Sequence, residues 1–338
     1  MKVGMLLKAL VMLAFTVSPH IAAAQQDTQL IFATTLPAGG LSSRDIVAPW
    51  VARVNEAAKG MVTVVQRDGA NIATMANSYD RVQNDIVQIA WGLQPLLGGK
   101  FPLSEVAGLP LMLESTEKAS AALWRLYKTG LLDAEYKDIV PLWLIPSAPN
   151  KLHFAKAPAS ALDLKGQKVN VFDRVLGALV AELGGAAVSV PPEQQYESLL
   201  RGTMSVSVNP WSGLFAYNQQ EVTTYHSVVS LGAPIHMFFM SRKKFDSLPA
   251  AARKIIEDNS GEVQGRIHGK YWDDLEGTMR ARLEGDGKHR IVTPTAAELA
   301  DLKVKTDVVI DSWAKNRPGG EKVLATYRQI LADVSAGK

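Results

Sequence analysis

Between positions 161 and 211 the chain reads A-L-D-L-K-G-Q-K-V-N-V-F-D (161–173), then P-P-E-Q-Q-Y-E-S-L-L-R-G (191–202), and closes with S-V-N-P-W (207–211). Two hydrophobic segments, 167–172 and 204–208, have the make-up of strands, and each ends in polar and aromatic residues. Between them Val175, Leu176, Leu179, Val180 and Leu183 recur at helical spacing up to Gly184-Gly185, a carboxyl-terminal glycine stop. A second short helix starts at Pro192, where a first turn accepts proline, and stops at Gly202. Strands alternating with helices build a helix-covered parallel sheet, and open sheets of this kind bind ligands at the carboxyl ends of their strands. The stretch therefore predicts half of a ligand-clamping domain.

The flanking sequence repeats the pattern. Strands are expected at 30–34, 61–66 and 86–91, with a helix between the first two whose buried stripe is Ile46, Val47, Trp50, Val51, Val54 and Ala58. A helix over 75–82 follows. The segment 101–112 is hydrophobic but broken by Pro102 and Pro110, so it reads as a packed loop. A helix over 116–128 precedes a strand at 139–145, which runs into I-P-S-A-P-N, a first crossing between domains. The chain crosses back at Gly232-Ala233-Pro234 into a strand at 236–241. From 249 to 284 runs one long helical pattern containing Gly261, Gly265, Gly269 and Gly277, so this helix must span both halves or bend. Helices over 296–313 and 321–334 finish the chain.

Composition narrows the class. Of 338 residues, 47% are apolar and 20% charged, and the net charge of +3 supplies no field for nucleic acid. Lys2 and Lys8 flank the start of the apolar run 9–17, and Ala22-Ala23-Ala24 precedes Gln25, so residues 1–24 read as an export signal cleaved after about Ala24. There is no cysteine, which excludes disulfides, thiol chemistry and an acylated anchor at the cleavage site. No later stretch has the apolar length of a membrane span. A freely diffusing exported protein is the expectation.

Signatures of chemistry are sparse. The chain has no G-x-S-x-G, H-E-x-x-H, G-x-x-x-x-G-K or G-x-G-x-x-G motif. Its six histidines show no ligand spacing, so neither a metal nor another cofactor is expected. His153 and His226 read as structural, and His289, in D-G-K-H-R, as a solvated loop residue.

Five motifs carry a resemblance: F-P-L-x-E with L-P-L-M (101–112), D-L-K-G-Q-K (163–168), L-G-G with V-P-P-E-x-x-Y-E-S-L-L-R-G (183–202), S-V-N-P-W (207–211) and S-R-K-K-F-D-S-L-P (241–249). Together they resemble the extracytoplasmic solute receptors of tripartite ATP-independent periplasmic (TRAP) transporters, the C4-dicarboxylate receptor family. The resemblance implies an α/β, two-lobed periplasmic binding protein fold, type II-like, with mixed sheets flanked by helices and a long helix spanning both lobes. Lobe I would be residues 25–150 plus 235–270, and lobe II residues 151–234 plus 271–338. The implied mechanism is closure over one small organic solute, which is then delivered to the permease membrane subunits.

The family grips a carboxylate with an arginine in D-L-K-G-x-K-x-R. Here that position is Asn170, which carries no charge. Either the ligand is not a simple organic acid, or another cation replaces the arginine, for which Lys151 and Arg174 are the candidates. Asn209 matches the asparagine that the family places after the corresponding strand, and Trp91 and Gln94 follow the third strand, where the family lines its pocket. Trp211, Phe172 and Phe238 complete the candidates as apolar walls; a wide apolar slot with a few amides suits an aromatic or hydroxylated ligand better than a small dicarboxylate, and the expected solute is an organic acid or an aromatic or hydroxylated compound. Asn209-Pro210-Trp211 lacks the acidic residue with which some relatives hold a metal. Two alternatives stay open: an exported enzyme with Asp173 or Glu193 as base, and a ligand-sensing partner of a signalling protein.

Overall fold

A computed structural model describes residues 28–36 and 38–338; the expected export signal lies outside the described residues. In chain order the strands are β1 (Thr28–Ala33), β2 (Val62–Arg67), β3 (Ile89–Leu93), β4 (Ile139–Pro146), β5 (Lys151–Phe154), β6 (Lys168–Asn170), β7 (Ala186–Val188), β8 (Val206–Asn209), β9 (Tyr225–Ser227), β10 (Ile235–Ser241) and β11 (Arg290–Val292). They form two sheets, with orders β2-β1-β3-β10-β4 and β11-β9-β5-β8-β6-β7. The chain thus leaves the first sheet between β4 and β5 and returns between β9 and β10, at the two proline-containing crossings.

Both sheets are mixed. β1 runs parallel to β2 and β3, whereas β10, arriving from the other half, pairs antiparallel with β3 and β4. In the second sheet β6, β7 and β8 are parallel, and β5 enters antiparallel to β8 and β9. Each half buries its own apolar faces. In the first, Phe238 stacks on Trp143 at 4.0 Å while Phe32 meets the Trp50 ring edge-on at 5.7 Å. In the second, Leu176 and Leu179 from helix Arg174–Glu182 are buried with Val169 and Val206 of the sheet.

The continuous helical pattern expected over 249–284 is in fact two helices, Ala250–Asp258 and Gly261–Asp286. The break falls at Gly261, whose φ of 73° is left-handed; a Cβ there would also come within 3.1 Å of the Trp124 ring. Gly269 does not bend the helix. A Cβ on it would lie 2.5 Å from the Glu117 Cα, so the missing side chain is what lets the long helix lie on helix Thr116–Lys128. The long helix also contacts β4 and, by its far end, the short helix Trp211–Ala216 beside β8. It therefore touches both halves of the fold. Helix Ala296–Lys315 packs on Arg174–Glu182, and helix Gly320–Ser335 returns to Thr116–Lys128. No helix among the described residues is long and apolar enough to cross a membrane.

Candidate functional site

The strand directions put particular residues on one edge of the second sheet. Because β5 is antiparallel to β8, its first residue, Lys151, sits directly opposite Asn209, the last residue of β8. Asn170 ends β6, which runs parallel to β8.

A row of hydrogen bonds joins the two asparagines. The Asn170 Oδ1 accepts from the Val190 backbone N–H at 3.0 Å, and the Val190 carbonyl accepts from the Gln195 Nε2 at 3.0 Å. The Gln195 Oε1 then accepts from the Asn209 Nδ2 at 2.8 Å and from the Gln219 Nε2 at 2.9 Å. The Gln219 Oε1 and the Ser207 Oγ lie 3.1 and 2.7 Å from the same Asn209 nitrogen. Acceptors crowd one end of each asparagine amide or donors the other, so the orientations are determined. What remains is complementary: the Asn170 Nδ2 is a donor and the Asn209 Oδ1 an acceptor, neither with a hydrogen-bond partner among the described residues.

Lys151 adds charge to this edge. Its Nζ donates to the Pro149 carbonyl at 3.1 Å, and burial pushes the ammonium down to about 8, opposed by the nearby Glu276 carboxylate and helped by Arg280. Glu276, on the long helix, accepts from the backbone N–H groups of Trp211 and Ser212 at 2.7 and 2.8 Å. Burial raises its carboxyl, and those N–H groups and Lys151 work in the opposite direction. Trp211 is buried against Leu214 and Leu283, with its ring 5.2 Å from that of His153.

Gln94, Phe172 and Arg174 lie elsewhere, around a cavity of ≈ 840 Å³ between the turn after β3, the start of helix Arg174–Glu182, the Ala233-Pro234 crossing and the end of helix Ala296–Lys315. The Gln94 Nε2 donates to the Tyr136 hydroxyl at 2.8 Å while its Oε1 is buried without a partner. Arg317 pairs with Glu105 at 2.6 Å, and the Trp313 Nε1 donates to the same carboxylate at 3.1 Å. Asp173 caps its helix by accepting from the Leu176 N–H at 2.8 Å, and burial pushes its carboxyl up to about 6.

Trp91 and Phe238 join neither group. They are 2% and 0% exposed, 4.6 Å apart, and the Trp91 Nε1 donates to the His236 Nδ1 at 2.9 Å. Their rings belong to the core of the first half, because β10 carries Phe238 onto Trp143 and not towards the opposing sheet edge. His289 also departs from expectation. Its side chain is 4% exposed, and its Nδ1 lies 3.0 Å from the His226 Nε2, so it is not a solvated loop residue. Gln195, Gln219 and Glu276 were not foreseen; the two glutamines sit in short polar helical segments, and Glu276 is one acid among several on the long helix.

The family model described as bacterial extracellular solute-binding protein, family 7 (DctP), matches residues 32–316. The chain belongs to this family. A relative from Comamonas testosteroni, described as outer membrane transporter protein TsaT, is 26% identical over 325 residues, covering 93% of this chain and 94% of its own. Among solved structures, a TRAP solute-binding protein from Rhodoferax ferrireducens T118 with copurified benzoate is 26% identical, with a TM-score of 0.83 over 91% of this chain and 99% of its own. A marine metagenome TRAP solute-binding protein specific for aromatic acids, in complex with metahydroxyphenylacetate, is 26% identical with the same TM-score and coverage. The two-lobed solute-receptor fold that the motifs implied is therefore the fold of this chain, and the chain is an extracytoplasmic solute receptor.

Proposed function

We propose that this receptor binds an aromatic carboxylate, with a place for a ring hydroxyl, and hands it to a TRAP permease. The observation that carries the reading is the second-sheet edge, where a buried ammonium, an amide donor and an amide acceptor are held together. Lys151 and the Asn170 Nδ2 would take the carboxylate; the Asn209 Oδ1 would accept from a hydroxyl. Replacing the family arginine by Asn170 removes a charged fork, and Lys151 returns one positive charge to the same edge. The benzoate and metahydroxyphenylacetate held by the two 26%-identical structures are of this class.

The protein would be exported by residues 1–24 and act in the periplasm. Its lobes would be residues 25–150 plus 235–270 and residues 151–234 plus 271–338, closing about the two crossings. Solute favours the closed form by the difference in its affinity for the two states. No covalent step enters, and the protein is a receptor, not an enzyme. The direct test is calorimetric titration of benzoate, 3-hydroxybenzoate and succinate. Binding of the aromatic acids with little or no heat from succinate supports the reading; succinate binding tighter than either aromatic acid would sink it.

A further inference from the structure

Three histidines from distant parts of the chain stand in one row behind Asn209. The His153 Nε2 lies 2.9 Å from the Asn209 backbone oxygen, the His153 Nδ1 lies 2.9 Å from the His226 Nδ1, and the His226 Nε2 lies 3.0 Å from the His289 Nδ1. The strands build this row: His153 and His226 are directly opposed across β5 and β9, and His289 immediately precedes β11, which pairs with β9. His153 and His226 are fully buried.

The proton positions follow from counting. A carbonyl oxygen only accepts, so the His153 Nε2 must carry its proton and the Nδ1 a lone pair. The His226 Nδ1 must then be the donor to that lone pair, which makes its Nε2 a lone pair in turn. Hence the His289 Nδ1 donates. The count holds for neutral rings, since an imidazolium at His226 or His153 would donate from both nitrogens and reverse the tautomers of the rings beyond it. Burial supplies that condition, holding His153 down to about 3 and His226 down to about 2, with His289 lowered as well. The charged groups around the row are Lys151 at its inner end and Asp286 and Lys288 at its outer end, where the His289 Nε2 is 3.9 Å from Asp286.

We propose that His153, His226 and His289 are positioning residues for solute binding: an ordered row of neutral imidazoles, set from its outer end by His289, that fixes Asn209. This rests on Asn209 being a solute contact. Removing the outer donor frees the His226 Nε2 to take the proton. Two lone pairs would then face each other between His226 and His153, and the contact to the Asn209 carbonyl would weaken.

The test combines histidine-selective ¹⁵N NMR of the solute-free protein with benzoate titration at pH 7.5 on the wild type, His289→Ala and His289→Gln. The inference expects His153 as the Nε2–H tautomer with His226 and His289 as Nδ1–H. In His289→Ala the tautomer of His226 should change and benzoate affinity should fall about five- to tenfold. In His289→Gln, whose amide N–H still donates, both should be kept, which a merely space-filling role at position 289 would not require. An Nδ1–H tautomer at His153, or a His289→Ala variant with unchanged tautomers and affinity, would overturn the inference. A wild type that binds no aromatic carboxylate would sink the solute reading and the positioning role with it, even with the tautomer order as expected.

Discussion

At the scale of single residues the charge balance of the candidate site rests on Lys151. Its folded-state value, about 8 against the usual 10.5, has two opposite consequences. Between those values the unfolded chain holds a proton that the folded protein lacks, so this residue makes stability rise with pH. An anionic solute needs the protonated form, so benzoate affinity should instead fall as pH climbs above about 8, by up to tenfold per unit. Titration at pH 7 and pH 9.5 measures this, and Lys151→Met should remove the dependence while weakening binding at pH 7 roughly 10- to 100-fold, the worth of one charge-assisted hydrogen bond. Asn170→Ala should cost roughly two- to tenfold, an ordinary neutral hydrogen bond; equal affinity in the variant would place Asn170 outside the site. That Asn170 and Asn209 end strands was legible because a strand end has a known place in this architecture, whereas Trp91, expected beside them, is core. Gln195 and Gln219 were not, since an amide in a short polar helix looks the same whether it faces water or another amide. The histidine row was invisible for a related reason: its members are 73 and 63 positions apart, and only the pairing of β5, β9 and β11 brings them together.

At the scale of elements, helix Arg174–Glu182 is started by a carboxylate that burial pushes from about 3.8 to about 6. Across that window the native state binds more protons than the unfolded chain, so Asp173 makes stability fall as pH rises from 4 to 6. Asp173→Asn keeps the acceptor that caps the helix and should flatten this slope, which thermal unfolding across pH 4–7 would show. A second expectation concerns Gly269: an alanine there drives its Cβ into the Glu117 backbone, an overpacking of about 1–3 kcal/mol that should lower the unfolding midpoint by roughly 2–8 °C. Gly277, with open space around it, should accept alanine without loss. The main strands and helices could be read from periodicity and glycine or proline stops. The short strands β5, β7, β9 and β11 were missed because a segment of three or four residues has no period to display, and the break at Gly261 was missed because helical spacing resumes in phase beyond it.

At the scale of the whole molecule, both crossings were legible because proline and glycine interrupt apolar runs there, whereas which face each terminal helix covers depends on contacts across the fold. Addition of benzoate should shrink the radius of gyration measured by small-angle X-ray scattering if solute draws the halves together; an unchanged value with saturating ligand would mean that binding does not move them. The long helix sets the terms of such a motion. Near one end it lies against Thr116–Lys128 with no side chain at Gly269 to serve as a spacer, and towards the other its Glu276 carboxylate holds the Trp211 and Ser212 backbone N–H groups. A rod gripped at two points turns a hinge into a flexure: moving the halves must either bow the helix between Gly269 and Glu276 or release the carboxylate. The resistance of that span then enters the rate at which a bound solute is let go, so Glu276→Gln, which weakens the grip without emptying its space, should speed dissociation more than it slows association.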